Sequence, residues 1–401
     1  MTTAVSYCTI LTSNYLPKAL TLAESLRRHE NGARLQILLS DIRHDADLPT
    51  LDGVDCLSTS VLEISEREVL QLATIYDLVE MATAVKPLFL KALLDDAEAA
   101  IYLDPDTFLT APMDELLPEL AASEGGIALT PHFLEPVPAD AAIGEAHMLA
   151  VGVFNLGFCA VDRRAVPFLD WWWGHLRTEC LVEPLSGLFV DQKWIDLGST
   201  LFNARSLRHT GYNVGVGNLR ERPLVKDDKG YVNSTNGERL RLFHFHAFDS
   251  RRPERLSMRF DHSSEEVLDE DSAIYALCHE YAEILSGFER ALPPPPPYPY
   301  FEDTRGKRIS RRVRRAYRME LATRAASLPV PFLAEEAGAW KRWRRRTWKS
   351  KLRSFVGDSA KSVRWVLPEE YDRTKKRFPK LTGKVSSKYA GGDGAWGYGG
   401  D

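Results

Sequence analysis

The opening of the chain constrains its fold more than any other feature. Residues 4–12 (Ala-Val-Ser-Tyr-Cys-Thr-Ile-Leu-Thr) form an uninterrupted apolar run that reads as a buried strand. After Ser13-Asn14, the segment Pro17–His29 carries Ala19, Leu22, Ala23 and Leu26 at helical spacing. Asn31-Gly32 ends the helix, and Leu35–Leu39 forms a second strand that stops at Ser40-Asp41. Strand, helix and strand in this order make a βαβ unit, which commits the chain to an α/β fold with a mostly parallel central sheet. Such sheets bind ligands beyond the carboxyl ends of their strands, so Thr9, Asn14 and Asp41 become candidate substrate-binding residues. A polar residue after a strand is more often merely a turn former, which is the alternative here.

Farther along, the pattern predicts a helix from Ile75 to Leu94 interrupted at Pro87, and a strand Ala99–Leu103 that runs into Asp104-Pro105-Asp106. Strands are expected at 126–130, 151–161 and 240–248, with helices over 167–176, 191–197 and 272–288. Pro293–Pro297 is extended and marks a boundary. We therefore divide the chain into a domain of residues 1–292, a proline-rich linker 293–300, a basic and mainly helical extension 301–390, and a Gly-rich disordered tail 391–401. The net charge of −5 conceals this division, because residues 305–380 hold roughly 24 Lys and Arg against 7 Asp and Glu.

Several classes of protein find no support. There is no basic leader with a cleavage site and no run of 18 apolar residues, so a cytoplasmic location is expected. Five scattered cysteines lack metal-binding spacing and read as reduced core thiols. No glycine-rich phosphate loop, GxSxG or HExxH occurs.

The sharpest chemical signal is Tyr102-Leu103-Asp104-Pro105-Asp106. Alternate residues of an extended segment face one side, so Asp104 and Asp106 meet a single ligand, and Pro105 stiffens the link. Two carboxylates held together repel unless a cation lies between them, and hard oxygen donors suit Mn²⁺ or Mg²⁺, an ion that would bridge a diphosphate. A solvated Asp-Pro-Asp turn is the alternative. His244 and His246 share one face of a strand and offer imidazole to the same ion, or they are a histidine pair without metal. Trp171-Trp172-Trp173 cannot share a helix face and reads mainly as core. Tyr212-Asn213-Val214 and Asn218 form a polar loop that either lines an acceptor or simply turns.

Taken in order, Ser13-Asn14-Tyr15-Leu16-Pro17, Val85-Lys86-Pro87-Leu88-Phe89-Leu90, Tyr102-Leu103-Asp104-Pro105-Asp106, Phe154-Asn155-Leu156-Gly157-Phe158, Asp191-Gln192 and His244-Phe245-His246 resemble the GT-A glycosyltransferases of the family 8 type, over residues 4 to about 260. The resemblance implies a Rossmann-like GT-A domain in which Asp104 and Asp106 are the DxD pair. It makes His244 the distal metal ligand, although a second histidine, His246, stands where the family has a small residue, so the choice between them stays open. Lys86 matches a basic residue near the donor, Asn155 and Gly157 a strand bordering sugar and acceptor, and Asp191 and Gln192 the pair touching the reacting sugar. A helix cap at Asp191 and a packing role for Gly157 are the structural alternatives.

On this resemblance the activity is metal-dependent transfer of a sugar, with retention, from a nucleotide-sugar donor, UDP-sugar first, to a glycan or lipid-linked acceptor in surface polysaccharide synthesis. A non-catalytic sugar-nucleotide-binding scaffold and a metal-dependent nucleotidyltransferase are the competing readings. The basic extension interleaves cations with aromatics in Arg311-Arg312-Val313-Arg314-Arg315, Lys341-Arg342-Trp343-Arg344-Arg345-Arg346-Thr347-Trp348-Lys349 and Lys375-Lys376-Arg377, a pattern suited to an anionic membrane surface. Docking within the protein ranks next and nucleic acid last.

Overall fold

A computed structural model describes residues 5–138, 141, 143–258, 267–324, 328–347 and 352. The expected disordered tail and the cluster Lys375-Lys376-Arg377 lie outside the described residues. These group into two compact units, one of residues 1–181 with 189–300, the other of residues 182–188 with 301–401.

The first unit opens with β1 (Val5–Leu11), α1 (Leu16–His29), β2 (Leu35–Leu39) and β3 (Val54–Leu57). The helices α2 (Glu66–Ile75), α3 (Leu78–Ala84) and α4 (Lys86–Leu93) precede β4 (Ala99–Leu103), β5 (Thr107–Leu109) and α5 (Leu116–Ala121). Then come β6 (Ile127–Pro131), α6 (Glu145–Val151), β7 (Phe154–Asp162), α7 (Val166–Glu179), the short strands β8 (Val182–Glu183), which falls in the second unit, and β9 (Leu188–Phe189), and α8 (Gln192–Leu201). Short strands β10 (Arg205–Ser206), β11 (Val214–Gly215), β12 (Leu224–Asp227), β13 (Gly230–Asn233) and β14 (Leu242–His244) lead to α9 (Ala273–Ala291).

The central sheet has the order β10-β6-β7-β4-β1-β2-β3 and is parallel except for β7, which runs antiparallel to both β4 and β6. Its apolar strands are buried because helices cover both faces. Running antiparallel, β7 brings its first residues to the edge where β1, β2, β4 and β6 end. The polar ends of five strands therefore meet there. A second sheet, β11-β14-β5, begins where Asp104-Pro105-Asp106 turns the chain out of β4, and pairs His244 with Thr107.

Three boundaries differ from those expected. The stretch 75–94 is broken at Asp77, whose carboxylate accepts from the amides of Val79 and Glu80 and starts a new helix. The interruption expected at Pro87 falls at Val85, between α3 and α4, and Pro87 itself sits in the first turn of α4, where no amide is needed. In 151–161 the strand begins only at Phe154, because α6 continues through Val151 and Gly152, at φ +122°, reverses the chain. In 240–248 the strand covers Leu242–His244; the Phe245 amide makes one more in-register bond, to the Asp106 carbonyl at 2.8 Å, and the chain then turns away as the His246 amide donates to the His244 carbonyl at 3.0 Å and Ala247 takes φ +50°. Trp172 is buried as expected, with its indole donating to the Asp191 carbonyl. Four of the five free cysteines are buried and Cys56 is half-buried.

The second unit contains α10 (Arg311–Arg324) and α11 (Ala337–Arg346). Trp340 and Trp343 stack at 4.8 Å, Tyr317 meets Trp343 edge-on, and Asp303 accepts from the Trp340 indole and Arg344. Both tryptophans are thus buried in this unit rather than offered to a membrane, packed in a core they share with Val313, Tyr317 and Val330. Arg315 pairs with Glu183 at 2.7 Å, while Arg312, Lys341, Arg342, Arg345 and Arg346 are exposed. No helix among the described residues is long and apolar enough to cross a membrane.

Candidate functional site

The turn after β4 gathers the candidate metal ligands. Asp104 is held by its amide to the Gly157 carbonyl at 2.9 Å, and its carbonyl caps the turn by accepting from the amide and hydroxyl of Thr107. Tyr102, two residues earlier on the same strand face, donates its hydroxyl to Asp104 Oδ1 at 2.7 Å. His244 Nε2 lies 3.1 Å from Asp106 Oδ1 and 3.6 Å from Asp104 Oδ2. One ligand atom from each of Asp104, Asp106 and His244 falls within 4.8 Å of the others. His246 does not join them; its ring packs on that of His244 with centroids 3.7 Å apart. The second histidine is placed this way because β14 has already ended.

Charge at this turn is strongly unbalanced. Burial and the neighbouring Asp106 raise the Asp104 pKa, against the pull of Lys86 and His244. Asp106 is also disfavoured by burial, yet His244 and Lys18 outweigh it and hold its carboxyl well below the usual range. Lys18, on the first turn of α1, reaches to 3.8 Å from Asp106. It escaped the sequence reading because nothing local distinguishes it from a solvated helix lysine.

Lys86 is 1% exposed and therefore not a solvated lysine. Its ammonium meets Asp191 Oδ2 at 2.6 Å, donates to the Leu156 carbonyl at 3.1 Å and lies 3.9 Å from the centre of the Tyr102 ring. Burial works against its charge, but Asp191 and Asp104 prevail and raise its pKa. Asp191 stands at the N-terminal cap of α8 without capping it, since its carboxylate is committed to Lys86. Gln192, also buried, accepts from the Leu156 amide at 3.3 Å and donates to the Val151 carbonyl at 3.0 Å. Both polar groups of the Leu156 backbone are thus braced, by Lys86 on one side and Gln192 on the other. This brace fixes Asn155 and Gly157 at the start of β7.

At Gly157 the absence of a side chain matters for a specific neighbour. A Cβ there would lie 2.3 Å from Cε1 and 2.5 Å from Nδ1 of His244. The glycine permits close approach by the imidazole. Asn155 turns its amide oxygen to the Gly157 N–H at 3.0 Å. At the β1 and β2 ends, Asp41 Oδ2 accepts from the Ser13 amide at 2.9 Å, and Asn14 is exposed and accepts from the Thr12 hydroxyl. Thr9 is fully enclosed, with no hydrogen-bond partner for its hydroxyl.

A cavity of about 660 Å³ opens beyond β6, lined by Phe133, Val137, Ile143, Val216, Asn218 and Glu221 among others. Asn218, on its wall, donates its amide to the carbonyls of His132, just after β6, and Asn213, whose side chain meets His244. Across the sheet edge the order is therefore Asp41, Ser13, the Asp104 turn, Asn155–Gly157 and this cavity.

No family model matches the chain. The uncharacterized protein YfnF of Bacillus subtilis (strain 168) is 27% identical over 254 residues, which is 61% of this chain and 81% of YfnF. Among solved structures, the galactosyltransferase LgtC in complex with donor and acceptor sugar analogues is similar over 70% of this chain and 95% of its own, at 12% identity and a TM-score of 0.41. The bifunctional glycosyltransferase WbbM gives 14% identity and a TM-score of 0.40 over 72% of this chain, which spans about half of WbbM (52%). The glycosyltransferase GlyE of Streptococcus pneumoniae TIGR4 gives 15% and 0.37, over 72% of this chain and 65% of GlyE.

Proposed function

We propose that this chain is a GT-A glycosyltransferase that uses Mn²⁺ or Mg²⁺ to move a sugar from a nucleotide-sugar donor, a UDP-sugar, onto a glycan or lipid-linked acceptor. The observation that carries this reading is the meeting of Asp104, Asp106 and His244 at the strand-end edge of a mostly parallel sheet. Their separations of 3.1 and 3.6 Å suit neighbouring positions around a six-coordinate ion with bonds near 2.1 Å, roughly 3 Å apart. Two carboxylates and an imidazole leave positions for diphosphate oxygens, and the ion, when bound, supplies a Lewis acid for the departing nucleoside diphosphate. The donor set fits.

The chain's own groups then divide the work. Asp41, Ser13 and Asn14 lie on the side where the nucleoside is expected, with Thr9 shaping the strand behind them. Lys18 is placed to meet diphosphate charge directly, whereas Lys86 acts through its field and through the brace on Leu156. Asp191 and Gln192 set the position of Asn155 and Gly157, against which the transferred sugar rests. The cavity beyond β6 takes the acceptor, whose hydroxyl oxygen bonds to the anomeric carbon as the bond to the diphosphate breaks, its proton passing to the departing diphosphate, with retention as the family resemblance implies. The exposed cations of α10 and α11 support contact with an anionic membrane at the cytoplasmic face, in polysaccharide synthesis. Liposome binding that weakens as salt rises tests this.

Calorimetry with UDP tests the central claim. Affinity should fall sharply when Mn²⁺ is replaced by chelator, and Asp106→Asn should abolish that difference along with turnover while the protein stays folded. Equal UDP affinity with and without metal in the unaltered chain overturns the reading. Metal-coupled binding without turnover of any UDP-sugar leaves a sugar-nucleotide-binding scaffold.

A further inference from the structure

We infer that Asn213 is a positioning residue that selects the Nδ1–H tautomer of His244 and so presents the Nε2 lone pair to the metal. For function this rests on the metal reading above; the tautomer itself does not. The backbone carbonyl oxygen of Asn155 can only accept. It accepts from the Thr130 hydroxyl at 3.3 Å and from Asn213 Nδ2 at 3.0 Å. With its proton committed there, the Thr130 oxygen accepts a second bond from Asn213 Nδ2 at 2.9 Å. Both acceptors fix which end of the Asn213 amide is nitrogen. Oδ1 is therefore the atom 3.0 Å from His244 Nδ1, and an amide oxygen only accepts, so Nδ1 carries the proton. Nε2 faces Asp106 Oδ1 at 3.1 Å and Asp104 Oδ2 at 3.6 Å; Asp106 accepts as well, so the two sides compete for the proton of a neutral ring, and the shorter, more deeply buried bond to Asn213 holds it at Nδ1.

Asparagine suits this position for a second reason. Residue 213 has φ +52°, a left-handed conformation that asparagine tolerates and most residues do not. It is 1% exposed, and its carbonyl is held by Asn218, so backbone and side chain are both fixed. One residue thus meets three demands: the left-handed backbone, donation to Thr130 and Asn155, and acceptance from His244. A carbonyl or amide oxygen behind a metal-bound imidazole sets ring orientation and basicity, and losing it typically costs 10–100-fold in metal affinity.

The test uses the full chain with ¹⁵N-labelled histidine, and two variants. Asn213→Gly keeps the left-handed backbone and removes the amide, while Asn213→Asp keeps an acceptor for Nδ1–H but loses the donor. Long-range ¹H–¹⁵N spectra are recorded in chelator, at a pH high enough that the neutral ring remains. The unaltered chain and Asn213→Asp should show the Nδ1–H tautomer, and Asn213→Gly should revert to the Nε2–H form that free imidazole prefers. In calorimetry, the Mn²⁺-dependent gain in UDP affinity should fall 10–100-fold in Asn213→Gly and recover in part in Asn213→Asp. Nδ1–H persisting in Asn213→Gly, an Nε2–H unaltered chain, or an unchanged metal-dependent gain each overturns the inference. Should Asn213→Gly not fold, an Nε2–H spectrum in Asn213→Asp has the same force. Metal-independent UDP binding by the unaltered chain instead refutes the metal reading, while the spectra still decide what Asn213 does.

Discussion

Replacing Gly157 by alanine adds a single methyl group, and the structure says what that group must displace. The new Cβ would start 2.3 Å from His244 Cε1 and 2.5 Å from Nδ1, so reaching an ordinary 3.4 Å contact requires a relative movement of about 1 Å. The strand cannot easily supply it, because the Gly157 carbonyl accepts from the Asp104 amide at 2.9 Å and Leu156 is braced by Lys86 and Gln192. The imidazole must move instead. It is 3% exposed and stacked on His246, and a shift of that size breaks its bond to Asn213 or its approach to Asp106. Overpacking of this kind costs about 1–3 kcal/mol, read as a lower urea midpoint at unchanged slope. The displaced imidazole should weaken Mn²⁺-dependent UDP binding about 10–100-fold, while the smaller metal-independent component stays the same. A Gly157→Ala protein within about 0.5 kcal/mol of the original, with full metal-dependent affinity, would refute the claim that Gly157 is empty in order to seat His244.

Three further outcomes follow from the same geometry. Lys86→Met strands the buried Asp191 carboxylate and should destabilise the chain by about 3–5 kcal/mol, whereas Lys86→Met with Asp191→Leu should regain most of that loss in a denaturant titration; no recovery would show that the pair is not the stabilising unit. Val137→Trp fills the cavity beyond β6 and should raise the acceptor KM without altering UDP affinity, and an unchanged KM would move the acceptor elsewhere. His132 is held by burial at a pKa of about 4, against an ordinary 6.5, despite its bond to the Val153 carbonyl. The unfolded chain therefore binds the extra proton first, so this contribution is intact above pH 6.5 and is lost as pH falls through 4. His132→Gln should flatten the stability profile across that window by roughly 2 kcal/mol, and parallel profiles would contradict it.

The sequence by itself determined the elements whose physics is local. The βαβ opening was legible because a buried parallel strand must be continuously apolar and α1 must show helical periodicity. That Asp104 and Asp106 would meet one ligand was legible from their spacing, but not for the reason of alternation: the Thr107 amide bonds the Asp104 carbonyl and closes Asp104-Pro105-Asp106-Thr107 into a turn, so the segment is not extended, and alternation accounts only for Tyr102 lying beside Asp104. The different placing of His244 and His246 was not legible, since it turns on β14 pairing with β5, far earlier in the chain, and on the backbone leaving that pairing after Phe245, where Ala247 takes φ +50°. Lys86 shows the same limit. Its sequence neighbours mark only a helix start, but burial against Asp191 and Tyr102 converts it from a solvated cation into a brace. The role of Asn213 needed four segments at once, β6, the start of β7, the loop before β11 and β14, because a hydrogen-bond direction is decided by every partner's remaining capacity. Periodicity and turn chemistry depend on neighbours within a few residues and can be read along the chain. The burial of a charge, the space at a glycine and the tautomer of an imidazole depend on residues tens to more than a hundred positions away, and only the tertiary structure decided them.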